Sequence, residues 1–196
     1  MKPYAESCNQ NRDPILDVLK TRLETCNRVL EIGSGTGQHA VYFAAAMPHL
    51  HWLASDRMEN LPGIRQWLDE AGLANLVDPL CLDVTQAVWP EVDVQAVFSA
   101  NTAHIMHWPQ VQALFAGVGR LLPQGGQFFL YGPFNYGGGY SSDSNRRFDT
   151  WLKERDPLSG VRDFEALDAL AQQAGLALVE DIAMPANNRI LHWKKV

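Results

Sequence analysis

Apolar positions along the chain alternate between two rhythms, one of about 3.6 residues and one of short continuous runs, and that alternation predicts the architecture. After Asp13-Pro14, residues Ile15, Leu16, Leu19 and Leu23 recur at helical spacing, with Asp13 suited to cap the first turn and Pro14 suited to open it. Arg28 to Ile32 reads as a strand, glycines follow at 33, 35 and 37, and Gln38 to Ala46 resumes as a helix until Met47-Pro48. The unit then repeats. His51 to Ser55 predicts a second strand, Pro62 to Ala71 a helix ended by Gly72, and Asp78 to Leu82 a third strand. Val94 to Ser99 predicts a fourth. Pro109 opens the clearest amphipathic helix, with Val111, Leu114, Phe115, Val118, Leu121 and Leu122 on one stripe, before Pro123 and Gly125-Gly126 stop it. Gln127 to Tyr131 predicts a fifth strand.

The last third departs from simple alternation. Phe164 to Ala174 reads as a helix capped by Gly175, followed by two strands, Leu176 to Met184 and Arg189 to Lys195. The intervening Pro185-Ala186-Asn187-Asn188 is too short for a crossover, so those strands pair antiparallel. Between the fifth strand and this end lies an insertion, about 133–162, with Gly137-Gly138-Gly139 and one short helix predicted near Arg146 to Glu154. Strands separated by helices imply right-handed crossovers and a mostly parallel sheet covered on both faces: an α/β, Rossmann-like, doubly wound fold.

Composition narrows the class. The 196 residues fit one domain spanning 1–196, and 46% apolar against 19% charged residues is a globular balance. No apolar stretch approaches the roughly 20 residues of a membrane span, and Met1 to Gln10 lacks the apolar block of a signal peptide, so a cytoplasmic location without membrane association is expected. A formal charge of −6 opposes the counterion release that drives nucleic-acid binding, so no nucleic-acid partner is expected. Cys8, Cys26 and Cys81 form neither an even disulfide set nor a metal-ligand spacing; Cys8 is the one candidate for a reactive thiol. No metal ligand set and no Ser/His/Asp arrangement stands out, so neither a catalytic metal nor a covalent nucleophile is expected. Oligomeric state stays open.

The glycine turn carries the chemistry. Glycines after a strand let a ligand approach the backbone, and the following helix presents unpaired N–H groups. A dinucleotide fingerprint would need glycine at position 38, where Gln38 stands. Glu31 would also face a pyrophosphate with like charge, whereas a sulfonium and an ammonium, as in S-adenosylmethionine, reverse the sign. Asp56 ends the second strand, where a carboxylate can accept both ribose hydroxyls of an adenosine; it does not separate the two cofactors. Asp83 ends the third, where it can accept from an adenine amino group, with the adjacent backbone reading the ring. Acids on three successive strand ends make one site.

A hydrophobic strand, an acid and G-x-G-x-G, here Val29 to Gly37, resemble the first motif of the class I S-adenosylmethionine-dependent methyltransferases, and the similarity covers nearly the whole chain. That resemblance implies a seven-stranded sheet in the order 3-2-1-4-5-7-6 with strand seven antiparallel. It implies that Glu31, Gly33, Gly35 and Gly37 hold the methionine part, Asp56 the ribose and Asp83 with Val84 the adenine. Asn101 falls at the end of strand four, and Arg12 is a candidate for the cofactor carboxylate. More narrowly, Asn11 to Leu16, Tyr131 to Asn135 and Ser144 to Asp149 look like the branch of methyltransferase-like protein 26.

Methyl transfer from a sulfonium needs mainly alignment of the acceptor and exclusion of water. The run Asn101-Thr102-Ala103-His104-Ile105-Met106-His107-Trp108 departs from the Asn or Asp, two prolines and an aromatic of the family's amino-methylating DNA and protein enzymes, which argues against a nucleobase-amine acceptor; the cofactor features and the acidic, compact chain point to a small-molecule one. His104 and Tyr136 are the candidate catalytic residues; His107 reads equally as a cap for the Pro109 helix, and Phe148 and Trp151 as anchors of the insertion, which is expected to cover the acceptor. Two other functions share parts of this pattern: an NAD-dependent oxidoreductase, through Asp56, and a non-catalytic S-adenosylmethionine-binding module serving a protein partner.

Overall fold

The computed structural model describes residues 2–196. Seven strands, β1 (Arg28–Ile32), β2 (His51–Asp56), β3 (Leu80–Cys81), β4 (Ala96–Ala100), β5 (Gln127–Gly132), β8 (Leu176–Met184) and β9 (Asn188–Lys195), form one sheet in the order β3-β2-β1-β4-β5-β9-β8. β9 runs antiparallel to β5 and β8, whereas β1 is parallel to β2 and β4. This is the expected Rossmann-like methyltransferase sheet, two minor strands aside: β6 (Phe134–Asn135) and β7 (Arg162–Asp163) pair with each other and bracket the insertion. The chain divides into two compact units, residues up to Phe98 and residues from Ser99.

In the first unit, α1 (Glu6–Arg22), α2 (Gln38–Ala46) and α3 (Leu61–Ala71) accompany β1 to β3. Phe43, Trp52 and Phe98 meet at ring centroid separations of 5.3 to 5.9 Å and are fully buried. α1 starts earlier than Asp13, and Pro14 lies inside it instead of opening it. Side chains of α2 hold the turns before that proline: Ala5 N–H donates to Gln38 Oε1 (2.6 Å), and Asn11 Oδ1 pairs with His39 Nε2 (2.7 Å). Asp13 caps nothing; its carboxylate accepts from the Tyr42 hydroxyl.

In the second unit, α4 (Trp108–Leu121) and α6 (Phe164–Gln173) pack together, and Phe115, Phe128 and Trp193 form the aromatic core. The insertion is more ordered than its sequence implies. Its helix α5 (Asp143–Arg155) runs 13 residues, opened by Ser142, whose hydroxyl accepts from Asn145 N–H at 3.1 Å. Asp149, 2% exposed, accepts from Tyr140 Oη, Lys153 Nζ and Val161 N–H at 2.7 Å each, tying both ends of the segment to one carboxylate.

The β8–β9 turn holds two consecutive non-glycine residues in the left-handed region, Ala186 (φ 57°) and Asn187 (φ 58°). Asparagine tolerates that region; alanine does so at a cost. Ala186→Gly is therefore expected to raise stability by about 1 kcal/mol, read as an increased urea midpoint at unchanged m-value.

Candidate active site

β1 delivers Glu31 and the glycine turn to one edge of the first unit, where β2 delivers Asp56. Register sets this: Glu31 lies opposite Ala54, Ile32 opposite Ser55 and Asp56 opposite Cys81, so the carboxyl ends of three strands meet. The turn is built on β2, since the Ser55 carbonyl accepts from the N–H groups of Gly33 (2.9 Å) and Ser34 (3.0 Å). Asp56 finishes it. Oδ2 accepts from Gly35 N–H (2.7 Å), while Oδ1 accepts from Arg57 N–H (2.7 Å) and Asn60 Nδ2 (2.8 Å).

The two later glycines differ in what surrounds them. Both have positive φ, 59° at Gly35 and 92° at Gly37. A Cβ at Gly37 would sit 3.2 Å from the Ile64 Cα, whereas one at Gly35 would meet nothing within 4 Å. Gly37 serves helix packing, and Gly35 borders open space.

Glu31 is 1% exposed. Trp52 Nε1 donates to its Oε2 at 3.0 Å. Burial pushes its carboxyl up to about 7, reinforced by the charge of Asp56 and opposed by the hydrogen bonds from Trp52 and Ser34. Among the described residues no cation is among the causes acting on it, so a cationic ligand placed here would restore the ordinary acidity. Arg12, on α1, carries the opposite sign. Its guanidinium lies 4.4 Å over the Tyr42 ring and its Nη1 donates to Asn9 Oδ1 (3.2 Å), but its buried Nε has no hydrogen-bond partner among the described residues, the Asp13 carboxylate standing off at 3.9 Å. Asp83 closes a local turn, Oδ1 accepting from Thr85 N–H (2.9 Å) and Oγ1 (2.7 Å), which with Arg57 holds its carboxyl below the usual range. Val84 is buried beside it. Cys8 is no activated thiol: burial first, then the charge of Glu31, push it up to about 11, so it stays protonated at neutral pH.

In the second unit Asn101 takes a left-handed conformation (φ 58°) at the end of β4, its N–H donating to the Tyr131 carbonyl at 2.9 Å. His104, 6% exposed, packs edge-on against Phe148 with centroids 5.1 Å apart. Burial, and then the charge of Arg162, lower its imidazole to about 4, so the ring is neutral at physiological pH. Arg162 fixes this segment by donating to the carbonyls of Ala103 (3.1 Å), Met106 and Leu158 (2.9 Å). No periodicity marks Arg162 as a clamp. His107 caps α4, accepting the helical bond of Val111 N–H at its carbonyl (3.1 Å), and its ring pairs with Asp156 (2.6 Å). Phe148, packed on His104, ties α5 to this segment, whereas Trp151 stacks on Phe148 of the same helix and is 47% exposed, so it is not the anchor expected.

Tyr136 has partners other than His104. It stacks on Phe164 and donates from Oη to Asp181 Oδ2 (2.9 Å); burial first, then that carboxylate, hold the phenol well above its ordinary value. Among the described residues no hydrogen bond joins it to His104. Nor, among them, is any group of three or more His, Cys, Asp or Glu gathered as a metal site, and no helix is long and apolar enough to cross a membrane.

Residues 2–195 match the model of the family described as "Protein of unknown function (DUF938)". The chain belongs to this family. Solved structures add the fold. The S-adenosylmethionine-dependent methyltransferase SibL, in its apo form, superimposes with a TM-score of 0.81 at 20% identity, over 96% of this chain and 55% of SibL. An O-methyltransferase family protein from Burkholderia thailandensis gives 0.83 at 13% identity, over 93% and 55%. Human N-acetylserotonin methyltransferase, solved with S-adenosylmethionine, gives 0.81 at 15%, over 97% and 53%. This chain thus spans about half the length of the proteins it matches, and what it shares with them is the class I methyltransferase fold.

Proposed function

We propose that this DUF938 chain is an S-adenosylmethionine-dependent methyltransferase acting on a small-molecule acceptor, within the branch that resembles methyltransferase-like protein 26. The observation that carries the reading is Glu31: a fully buried carboxylate, uncompensated by any cation among the described residues, beside a left-handed glycine whose missing Cβ opens onto empty space. The names of the similar structures support it, including an O-methyltransferase family 2 protein in complex with apigenin and the mitomycin 7-O-methyltransferase MmcR.

In this reading Glu31 and the backbone of Gly33, Gly35 and Gly37 hold the methionine part, and Arg12 Nε, which lacks a hydrogen-bond partner, faces its carboxylate. Asp56 accepts from the ribose through the lone pairs its three backbone and side-chain donors leave, and Asp83 with Val84 bounds the adenine. Bound S-adenosylmethionine supplies a methyl carbon already activated for displacement. What remains for the chain is alignment; His104 is no near-neutral base, since burial and Arg162 disfavour its protonated form, but its neutral ring offers a nitrogen that can accept a hydrogen bond from the acceptor's O–H or N–H. Asn101 shapes the end of β4, and Tyr136, fixed by Asp181, orders the insertion on the acceptor side.

Titration calorimetry tests this with S-adenosylhomocysteine. The intact protein is expected to bind it with a micromolar dissociation constant, and Gly35→Arg, filling the open space, is expected to abolish binding while circular dichroism stays native, a loss of at least about 100-fold. A folded wild-type chain that ignores S-adenosylhomocysteine but is stabilised by NADH would overturn the proposal in favour of a dinucleotide enzyme.

A further inference from the structure

A cavity of about 400 Å³ opens beside the β8–β9 turn, bordered by Tyr136, Ser141, Met184, Asn187, Asn188 and Arg189. The one charged side chain among its lining residues is cationic. Arg189 donates from Nε to Asp181 Oδ1 (2.7 Å) and from Nη2 to the Asp181 carbonyl (3.0 Å), and Tyr136 takes Oδ2, so both carboxylate oxygens are engaged in holding these two side chains. A guanidinium has five N–H donors; two go to Asp181 and one meets the Tyr136 oxygen, which leaves donors for another acceptor. Ser141 accepts from Asn145 Nδ2 (2.8 Å), which leaves its own hydroxyl proton to donate. The rim is preformed: the left-handed Asn187 is held by Asn145 Nδ2 on its carbonyl (3.1 Å) and by Ser144 Oγ on its amide (3.0 Å).

The cavity's cation starts from the same face as His104. Arg189 lies directly opposite Gly132 in the β5–β9 ladder, and opposed residues of an antiparallel pair project to one side. A Cβ on Gly132 would meet His104 Nδ1 at 3.7 Å and Phe134 Cζ at 3.8 Å, so the imidazole and the Phe134 ring border the side from which Arg189 starts.

We infer that this cavity binds a carboxylate, and that the methyl acceptor is a small organic acid whose carboxylate pairs with Arg189 while its nucleophilic hydroxyl or amine reaches His104. The acceptor role of the ligand rests on the methyltransferase reading; the carboxylate site does not.

The test titrates the full chain with acetate against acetamide and benzoate against benzamide, with and without S-adenosylhomocysteine, observing the Arg189 Nε–H signal by ¹H–¹⁵N NMR. The acids are expected to shift that signal saturably, benzoate binding at least about tenfold tighter than benzamide, as expected for one charge-assisted contact. D181N/R189Q, which keeps a neutral hydrogen-bonded pair, is expected to erase the preference and leave S-adenosylhomocysteine affinity within about twofold. Equal binding of acid and amide by the wild type overturns the inference, whether or not the double variant folds, as does a preference that survives in that variant. Acid preference without any S-adenosylhomocysteine binding would leave the carboxylate site standing and remove the methyltransferase reading; the reverse pattern removes the carboxylate site alone.

Discussion

Glu31→Gln is expected to weaken S-adenosylmethionine binding by about 100-fold at pH 8 and, in the free protein, to raise the melting temperature. Both effects come from one buried carboxylate, whose acidity is displaced from 4.5 to about 7. A ligand cation that restored the ordinary value would gain at most roughly 300-fold in affinity from doing so. The sign with pH follows. Below pH 7 the free site holds a proton that the cation must displace, so wild-type affinity is expected to fall about tenfold per unit from about pH 7 towards pH 5.5 and to be flat from about 7 to 8. Glu31→Gln has no such proton, and its affinity is expected to stay level across the range. Calorimetry in buffers of differing ionisation enthalpy reads the proton release directly; a wild-type affinity that does not change between about pH 5.5 and 8 would show that Glu31 does not meet the ligand's charge.

The stability effect has its own window. With the folded carboxyl raised, the unfolded chain ionises first as pH climbs past 4.5, so stability is full below that value and declines until about pH 7. The deficit above pH 7 is on the order of 3 kcal/mol, roughly 6–12 °C in melting temperature for a chain of this size. The amide oxygen introduced by Glu31→Gln can still accept from Trp52 Nε1, so the substitution removes the charge without orphaning the indole. The gain is expected at about pH 8 and absent at about pH 4.5. A residue whose removal stabilises the protein and disables binding is held in place by function, not by the fold.

Much of the sheet was legible because parallel strands buried on both faces announce themselves as apolar runs, as Arg28–Ile32 does, and because the turn residues after Leu176–Met184 leave room only for an antiparallel return. The order was legible only through the resemblance, since nothing local in Asn188–Lys195 says that it inserts between β5 and β8. What sequence reading missed was decided by partners distant along the chain. Pro14 pointed to a helix start, yet Gln38 and His39 hold the preceding turns helical. β3 is only two residues long, and just beyond it Asp83 turns back on Thr85. The insertion reads as loose because Asp149, the residue that organises it, looks in sequence like any solvated helix acid. At the candidate site the residue types were visible, but not that Glu31 is sealed from solvent and Asp83 is not.

Gly119→Val is expected to be among the most destabilising single substitutions, costing about 3 kcal/mol or more, roughly 6–12 °C in melting temperature. Gly119 lies where α4 crosses the end of α6, and a Cβ there would stand 2.4 Å from the Ala174 carbonyl oxygen and 2.7 Å from the Ala174 Cβ. Neither atom is the far end of a flexible side chain, so the helices must separate. α6 carries Asp168, whose carboxylate receives the Trp193 indole N–H at 2.9 Å, and Trp193 is wholly buried against Phe115 and Phe128. Moving the helix therefore strains the hydrogen bond and the aromatic core together. Nothing in the motif reading distinguishes this glycine, which lies inside a helix where glycine is otherwise unfavourable by about 1 kcal/mol against alanine. The contrast with Gly35 is the informative one. At Gly119 the space for a side chain is filled by Ala174, whereas at Gly35, held at φ 59°, it is empty. Gly119→Val should lower the melting temperature while leaving S-adenosylhomocysteine affinity at about 15 °C within about twofold of wild type, because the lost contact is intramolecular. Should Gly119→Val instead abolish binding in a protein that still melts like the wild type, the packing explanation of this glycine would be wrong and the α4–α6 contact would belong to the ligand site.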